Sequence, residues 1–351
     1  MSTRVFLMRN VFTLLLAGLA LCGAGCRRVS IQAPVDKEAQ VQAGDYKLSG
    51  PYTHDNLTIY LIHGDDKLKD KELLTLQEAL EQKKVVVYET QNVNELAIEN
   101  ISDQDVFIQS GDILKGGQQD RVISTDLIAS AKSGKIPLDA FCVEHGRWQQ
   151  RGGEAVRSFS GSANCLASNS LKQAARKPGS QQGVWKEVSN SQGKLAMNVG
   201  GSVQAGASAS SLQLSLEDKK VQEAAEAYLK DLAEVAGNED DVIGYAFAIN
   251  GKINSADVYA SHALFKKLWP KLLKATAIEA VAELEKDKKF EPAETDAVKA
   301  FLADAESGKA SSTEVGKRFT VIEQETEKNC LYETRDKEQQ DVMLRRSYLA
   351  K

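Results

Sequence analysis

Hydrophobic and polar residues alternate in several short runs along the chain, which is the pattern of strands that bury one face. The first run, NLTIYLIHG (56–64), precedes a stretch that places Leu73, Leu76 and Leu80 on one helical face, and VVVYE (85–89) follows. Further strand-like runs, separated by turn sequences such as SDQD and KSGK, lie at 96–100, 105–110, 120–128 and 136–146. This regular spacing predicts a sheet that curls into a sandwich or a partial barrel.

The second half of the chain carries helical patterns and one strong hairpin signal. Apolar residues at helical spacing predict a helix over 216–236, with Ser215 as the residue that caps its first turn. The following segment, 242–261, predicts a hairpin around Asn250-Gly251, because this dipeptide favours the tight turn that joins two antiparallel strands.

The remaining segments complete the predicted fold. The Gly/Ser/Ala-rich run 198–211 predicts a mobile surface loop, and a helix over 262–286 is expected to kink at Pro270. An acidic helical segment, 291–307, leads to two terminal strands, RFTVIEQE and VMLRRSYLA. The predicted fold class is therefore α+β, a β-rich sandwich or partial barrel with packed helices and a C-terminal β pair.

The N-terminus has the pattern of an export signal. Arg4 and Arg9 precede the apolar run Val11–Leu21, which is shorter than the roughly 20 residues of a spanning helix. The small residues CGAGC follow and resemble a bacterial lipobox, with Gly23 where leucine is usual. Cleavage before Cys26 would place a lipid on that cysteine and anchor the chain to a membrane. The alternative is an ordinary signal peptide with an incidental cysteine.

The charge of the chain excludes one class of partner. Removing residues 1–25, which hold two arginines and no acid, changes the net charge from −5 (44 Lys+Arg, 49 Asp+Glu) to −7 (42 against 49). The sequence has no cluster of lysines and arginines typical of a nucleic-acid footprint, so no nucleic-acid partner is expected.

Cysteines beyond the signal are few. Cys142, Cys165 and Cys330 make an odd number, which in an oxidising compartment favours one disulfide and one buried thiol. The preferred pair is Cys142 with Cys165, and three reduced, buried thiols are the alternative.

The most unusual stretch is GDILKGGQQDRV (111–122). Gly111 and Gly116 have the spacing of a phosphate-binding P-loop, but the Lys and Ser/Thr of that motif are missing and a strand follows instead of a helix. Glycines Gly116 and Gly117 permit positive φ and a nest of backbone N–H groups that attracts anions. Arg121 offers a planar fork for phosphate or carboxylate, and Gln119 can both donate and accept. The alternative is a tight hairpin with solvated polar residues.

A second group of polar residues, CVEHGRW (142–148), ends a predicted strand. Arg147 and Trp148 close that strand, and Trp148 could stack on a ring. Glu144 and Asp112 are candidates for a general acid/base pair if the fold brings them together. The run HGDD (63–66) is the main candidate for metal ligation, but no H-x-H or H-E-x-x-H accompanies it, so neither a metal nor another cofactor is expected.

Three longer stretches resemble the ARPP-1 family, whose name expands to ARG and rhodanese-phosphatase-superfamily-associated protein domain. They are ENISDQDVFIQSGDILKGGQQDRVI, SGKIPLDAFCVEHGRW and VIGYAFAINGKINSADVYASHALFKKLWPKLL, within residues 53–285. The name implies genomic company with ADP-ribosylglycohydrolases and phosphatase-like proteins, and hence ADP-ribose or nucleotide-derived ligands. The matching positions are Gly111, Asp112, Gly116, Gly117, Gln119, Arg121, Cys142, Glu144, Gly146, Arg147 and Trp148.

The resulting prediction is a membrane-anchored envelope lipoprotein. Residues 1–25 would be a signal, 26–52 a tether, 53–285 an ARPP-1-like domain, 286–316 a helical linker, and 317–351 strands packed on that domain. The domain would bind a small anionic ligand through Gly116, Gly117, Gln119, Arg121, Arg147 and Trp148. The alternatives are a hydrolase that uses Asp112 or Glu144 as acid or base, and a structural envelope protein that binds nothing.

Overall fold

The computed structural model describes residues 46–69, 71–90, 92–147, 151, 154, 159–176, 181–237 and 239–351, and of residues 162–165 the backbone alone. Cys26 and Trp148 therefore lie outside the described residues. The strands are β1 (Lys47–His54), β2 (Leu57–His63), β3 (Leu74–Thr75), β4 (Val85–Glu89), β5 (Glu95–Asn100), β6 (Val106–Ile108), β7 (Asp112–Gly116), β8 (Arg121–Ile123), β9 (Leu127–Ala129), β10 (Gly134–Cys142), β11 (Phe159–Leu166), β12 (Val242–Ile249), β13 (Lys252–Tyr259), β14 (Lys309–Val315), β15 (Phe319–Glu325), β16 (Asn329–Asp336) and β17 (Val342–Ala350). The helices are α1 (Leu76–Glu81), α2 (Asn169–Arg176), α3 (Gln181–Val199), α4 (Leu212–Leu216), α5 (Lys219–Leu232), α6 (His262–Ala282) and α7 (Thr295–Glu306).

The larger sheet is antiparallel and has eight strands in the order β1-β2-β12-β13-β17-β16-β15-β14. Strand β2 is buried on both faces, so its residues are all buried, including the polar Thr58. Leu61 belongs to the main core and Tyr60 to a second core on the opposite face, against α7. The sequence pattern thus identified the strand but understated its burial.

A second sheet of six strands, in the order β11-β7-β8-β10-β5-β4, curls until β4 and β11 come into contact. This confirms the predicted partial barrel and the α+β class. The predicted strand 120–128 divides into β8 and β9, and β9 joins a small sheet in the order β3-β6-β9. The division occurs around Asp126, whose buried carboxylate accepts from Arg345 of the larger sheet at 2.8 Å.

The helix predicted over 216–236 is two helices, α4 and α5. Asp218 caps α5, because its side chain accepts from Lys220 N, whereas Ser215 lies inside α4 and donates to Ser211 O. The prediction of Ser215 as the cap was wrong because a closer carboxylate starts the second helix. The helix predicted over 262–286 corresponds to α6, which contains Pro270. Among the described helices, none has the length and hydrophobicity needed to span a membrane.

The C-terminal segment contributes four strands to the larger sheet. The two predicted strands correspond to β15 and β17, whereas β14 and β16 were not predicted. Strand β17 pairs with β13 on one side and with β16 on the other, so it lies inside the sheet.

The Asn250-Gly251 hairpin between β12 and β13 is confirmed, with φ of 53° and 75° at its two turn residues.

Candidate functional site

The stretch 111–122 forms the hairpin of β7 and β8, and most of its side chains face the interior. The glycines serve the turn, since Gly116 has φ of 120° and Gly117 has φ of 55°. A side chain at Gly117 would lie 2.3 Å from Phe159, so glycine is also needed there for close packing.

Asp120 is the centre of a buried ion network at this hairpin. Its two carboxylate oxygens accept from Arg151 at 2.8 and 2.7 Å, in the bidentate geometry that favours strong ion pairs. Ser211 Oγ donates to it at 2.7 Å and Gly116 N at 2.9 Å. Hydrogen bonds to Asp120 and the charges of Asp120 and Glu144 outweigh desolvation and raise the pKa of Arg151. Ser211, the last residue of the segment 198–211 that was predicted as a surface loop, is thus buried beside Asp120.

Glu144 and Arg147 belong to the same network. Glu144 Oε1 lies 2.7 Å from Arg147 Nε, and its other oxygen accepts from Asp120 N at 3.1 Å. Arg147 also donates to the carbonyls of Gly116 and Gly117 at 3.1 and 3.0 Å. These contacts hold the hairpin against the end of β10.

Arg121 and Gln119, predicted to hold a ligand, are buried and have partners within the fold. Arg121 donates to Gln119 O at 2.8 Å and to Glu89 at 3.3 Å, with 1% of its surface exposed. Gln119 donates to Glu144 O at 2.9 Å. Arg121 Nε and Gln119 Oε1 are also buried, and neither has a hydrogen-bond partner among the described residues.

The predicted acid/base pair is not assembled. Asp112 begins β7 and accepts from Lys271 at 2.5 Å, whereas Glu144 contacts Asp120, beyond the other end of that strand. At about 3.3 Å per residue, the length of β7 separates the two carboxylates by more than a shared proton can span.

Cys142 is buried and free, with its thiol directed to Val93 O at 3.9 Å. Burial raises the pKa of this thiol. Two strands separate β10 from β11, which carries Cys165, in either direction around the partial barrel. Strands are about 4.8 Å apart, whereas disulfides join Cα atoms no more than about 7 Å apart. The strand order therefore opposes the Cys142–Cys165 pair, although the Cys165 side chain lies outside the described part of the chain.

A second buried ion network joins the barrel to the larger sheet. Arg345 donates to Asp126 and to Asp257 at 2.8 Å each, and none of the three side chains is more than 1% exposed. Although burial opposes ionisation, Arg345 and the N–H of Ser110 hold the pKa of Asp126 below its usual range. This network fixes the relative position of the two sheets.

A different group of polar residues lies at one edge of the larger sheet, where β1 and β12 begin and β2 ends. His63 Nδ1 lies 2.7 Å from Asp241 Oδ1, and its Nε2 lies 2.8 Å from Ser49 Oγ. The imidazole is buried, with 2% of its side chain exposed, while Asp241 is 54% exposed. Glu239 lies 3.4 Å from the same Nδ1, so the three acid and imidazole groups could also ligate a cation.

A cavity of about 750 Å³ borders this group. Its charged lining includes four cations against three carboxylates: Lys47, Lys67, Arg335, Arg346, Asp65, Asp241 and Asp341. The two arginines pair with acids, Arg335 with Asp341 and Arg346 with Glu333. Neither lysine has an ion-pair partner within 4 Å in the described ranges. With Glu333 counted as the partner of Arg346, the four cations face four carboxylates, and the charges that remain available to a ligand are those of the two lysines.

A second cavity, of about 520 Å³, lies between α5, α6 and α1. It contains Lys267, Lys271 and Lys274, but Lys271 is bound to Asp112 and Lys267 donates to Leu73 O at 2.9 Å. No histidine is among its lining residues in the described part of the chain, whereas the cavity beside His63 combines charged side chains with an imidazole.

The residues at His63 could not be grouped from the sequence. HGDD offers one histidine and two aspartates within four residues, but Ser49 and Asp241 lie 14 and 178 residues from His63 along the chain. One feature of the sequence could have indicated this contact: Asp241 directly precedes strand β12, and His63 is the last residue of strand β2. The pairing of these strands became visible only in the fold.

Comparison of the sequence with protein-family models gives a match over most of the chain. The model of the ARG and Rhodanese-Phosphatase-superfamily-associated Protein domain, ARPP-1, covers residues 45–345. The chain belongs to the ARPP-1 family, and the match extends beyond the predicted range 53–285 at both ends. No curated protein and no solved structure matches it.

Proposed function

We propose that the ARPP-1 domain binds a small anionic molecule in the cavity beside His63. The observation that carries this proposal is the pair of lysines, Lys47 and Lys67, which are exposed at the cavity and have no ion-pair partner among the described residues. The cavity volume of about 750 Å³ lies in the range of small-molecule sites. We prefer this location to the 111–122 hairpin because Arg121 and Gln119 are buried there and donate to partners within the fold.

The ligand class we propose is a nucleotide-derived compound of the ADP-ribose type. A pyrophosphate would place negative charge near both lysines. The family description associates the domain with rhodanese and phosphatase proteins, which supports phosphorylated ligands by association. The ligand need not contact Arg121 or Gln119 in this proposal.

A thermal-shift screen with ADP-ribose, NAD, nucleotide sugars and inorganic phosphate tests the proposal. A ligand at 100 times its Kd adds about 2.7 kcal/mol to the free energy of unfolding, which raises the melting temperature by several degrees. The double variant Lys47→Ala/Lys67→Ala should lose most of this shift. The matched control, Lys286→Ala/Lys289→Ala, removes two exposed lysines near the opposite end of β12 and should keep it. No shift with any compound would favour a structural protein.

We also propose that the chain is an exported lipoprotein anchored through Cys26 on the cell envelope. The support is the sequence of residues 1–26. The Cys26→Ala variant should move from the membrane fraction to the soluble fraction of cells, and an unchanged distribution would contradict the anchor.

A further inference from the structure

Ser49, His63 and Asp241 have the mutual arrangement of a nucleophile, a base and the acid that orients the base. The serine hydroxyl and the carboxylate contact the two different nitrogens of one imidazole, at 2.8 and 2.7 Å. These distances are within the reach of proton transfer, and function depends on such geometry and not on chain order.

We propose that Ser49, His63 and Asp241 form a catalytic triad that hydrolyses a carboxylic ester. The reactive serine rests on the triad geometry alone, whereas an anionic substrate would rest also on the proposed binding function, because the cavity beside His63 is lined by His63 and Asp241.

The surroundings of Ser49 suit a nucleophile. The pairing of β1 with β2 shifts register between Ser49 and Tyr52, so the serine stands at a β-bulge, a device that redirects side chains near active sites. Tyr52 OH donates to Ser49 Oγ at 3.5 Å, which leaves the serine proton directed to His63. The serine is only partly buried.

Asp241 is placed to orient the imidazole. Its Oδ1 lies 2.7 Å from His63 Nδ1, and its side chain is 54% exposed. An ionised Asp241 holds the proton on Nδ1, so that Nε2 presents its lone pair to the serine. Asp241 is therefore a positioning residue, and Ser49 and His63 are the catalytic residues.

The reaction needs no additional reagent. Ser49 Oγ attacks the ester carbonyl carbon while its proton passes to His63 Nε2. The bond from that carbon to the alcohol oxygen then breaks, and His63 returns the proton to the leaving alcohol. Water next attacks the acyl-serine and gives its proton to His63. The acyl–Oγ bond breaks, the carboxylic acid leaves, and His63 returns the proton to Ser49.

A cation site is the rival use of the same residues. His63 Nδ1, Glu239 and Asp241 offer ligand atoms within 4.8 Å of one another. In that arrangement the bond to Ser49 would only orient the ring, and Glu239 would be required. In the triad Glu239 is dispensable and no metal is needed.

Labelling of the full chain with a fluorescent fluorophosphonate tests the triad, because this probe reacts with activated serines. We expect label on the peptide that contains Ser49, and none in Ser49→Ala. Asp241→Asn should lower the labelling rate by about 10³-fold or more, as loss of the orienting acid does in other triads. A p-nitrophenyl acetate assay should show the same order of activities.

Controls separate chemistry from folding. Ser160→Ala removes an exposed strand serine that has no histidine partner among the described residues, and this variant should label as the wild type does. Glu239→Gln and treatment with EDTA should leave the rate within about threefold of the wild type. Asp241→Asn should keep the wild-type melting temperature, which a merely structural carboxylate would not allow, and Asp241→Glu should restore part of the labelling.

The outcomes distinguish this inference from the proposed function. Absence of label on Ser49, or equal labelling of wild type and Asp241→Asn, overturns the triad even if the cavity binds ADP-ribose. Loss of activity in EDTA or in Glu239→Gln overturns it in favour of a metal site. Label on Ser49 without any ligand shift supports the triad and contradicts anion binding in the cavity.

Discussion

At the residue scale, the ARPP-1 domain depends on charges that are buried in pairs. Asp120 is fully buried, and its carboxylate has partners from the hairpin, from Arg151 and from the start of α4. An ion in the interior loses its hydration, and only several hydrogen bonds of good geometry offset that loss. Such a network specifies the arrangement of three segments that are distant in sequence.

Replacing Asp120 with alanine should therefore be strongly destabilising. The variant leaves Arg151 buried without its bidentate partner, and such a change costs about 3–5 kcal/mol of unfolding free energy. Urea unfolding measures this cost. Lys115→Ala is the control, since it breaks the more exposed pair with Glu217 and should cost no more than about 1 kcal/mol. Equal effects of the two variants would contradict a central role for Asp120.

Glu279 gives a prediction for pH. Burial raises the pKa of Glu279, although Lys172 and the N–H of Asn169 oppose the shift. The folded state thus holds this proton more tightly than the unfolded state, whose glutamate has a pKa of about 4.3. The stabilisation is fully present below that value and is lost as pH rises through the higher folded pKa.

Glu279→Gln should become more stable relative to the wild type as pH rises from about 4 to 7, because glutamine does not titrate. Chemical unfolding at a series of pH values measures the difference. Glu226→Gln, on the exposed face of α5, controls for loss of a negative charge. A difference that does not change with pH would show that Glu279 is not responsible.

At the element scale, the β12–β13 hairpin shows how a two-residue turn fixes the central strands. Asn250 Nδ2 donates to Glu283 O at 2.7 Å, and its backbone N donates to Asn56 O at 2.9 Å. The turn therefore joins the end of α6 to β1 and β2. It also sets the register that brings Asp241, at the other end of β12, beside His63.

Gly251→Ala should destabilise the protein by about 1–2 kcal/mol, because φ is 75° and a Cβ would lie 3.0 Å from Glu291 O. Gly193→Ala in α3 is the matched control, since its Cβ would meet nothing within 4 Å. There alanine should stabilise the helix by about 0.5–1 kcal/mol. Thermal unfolding gives both values, and two changes of the same sign would refute the argument.

Local patterns predicted elements where the determinants are local. The Asn250-Gly251 turn and strands β2, β4 and β5 follow from residues within a few positions of one another. The stretch 120–128 was misread as one strand because Asp126 turns the chain toward Arg345, which lies 219 residues away. Helix 216–236 was misread because a local choice between Ser215 and Asp218 decides where α5 begins.

The candidate site was less predictable than the fold. Gly116, Gly117, Gln119 and Arg121 have the residue types of an anion-binding loop, but residue type does not show exposure. The sequence could not reveal that Asp120, Glu144 and Arg151 would neutralise one another. Nor could it place Ser49 and Asp241 on one imidazole, since that contact requires three strands to pair in the correct register.

At the scale of the whole molecule, the barrel and the larger sheet are joined by the last strand. Arg345 of β17 donates to Asp126 and to Ser110 O near the barrel, and to Asp257 of the neighbouring strand. The same strand pairs with β13 and β16. Its loss would expose two strand edges and leave two buried carboxylates without their shared partner.

A chain truncated after Asp341 should therefore lose cooperative unfolding altogether and not merely lose its last strand. Removing β17 separates β13 from β16, so β14 to β16 lose their connection to the sheet, and Asp126 and Asp257 become uncompensated charges. Differential scanning calorimetry should show one transition for the full chain and none of comparable enthalpy for the truncated chain. Deletion of the exposed Lys351 alone is the control and should leave the transition nearly unchanged. Retention of the full transition without residues 342–351 would show that the segment is an independent appendage and that the remaining strands form a complete core.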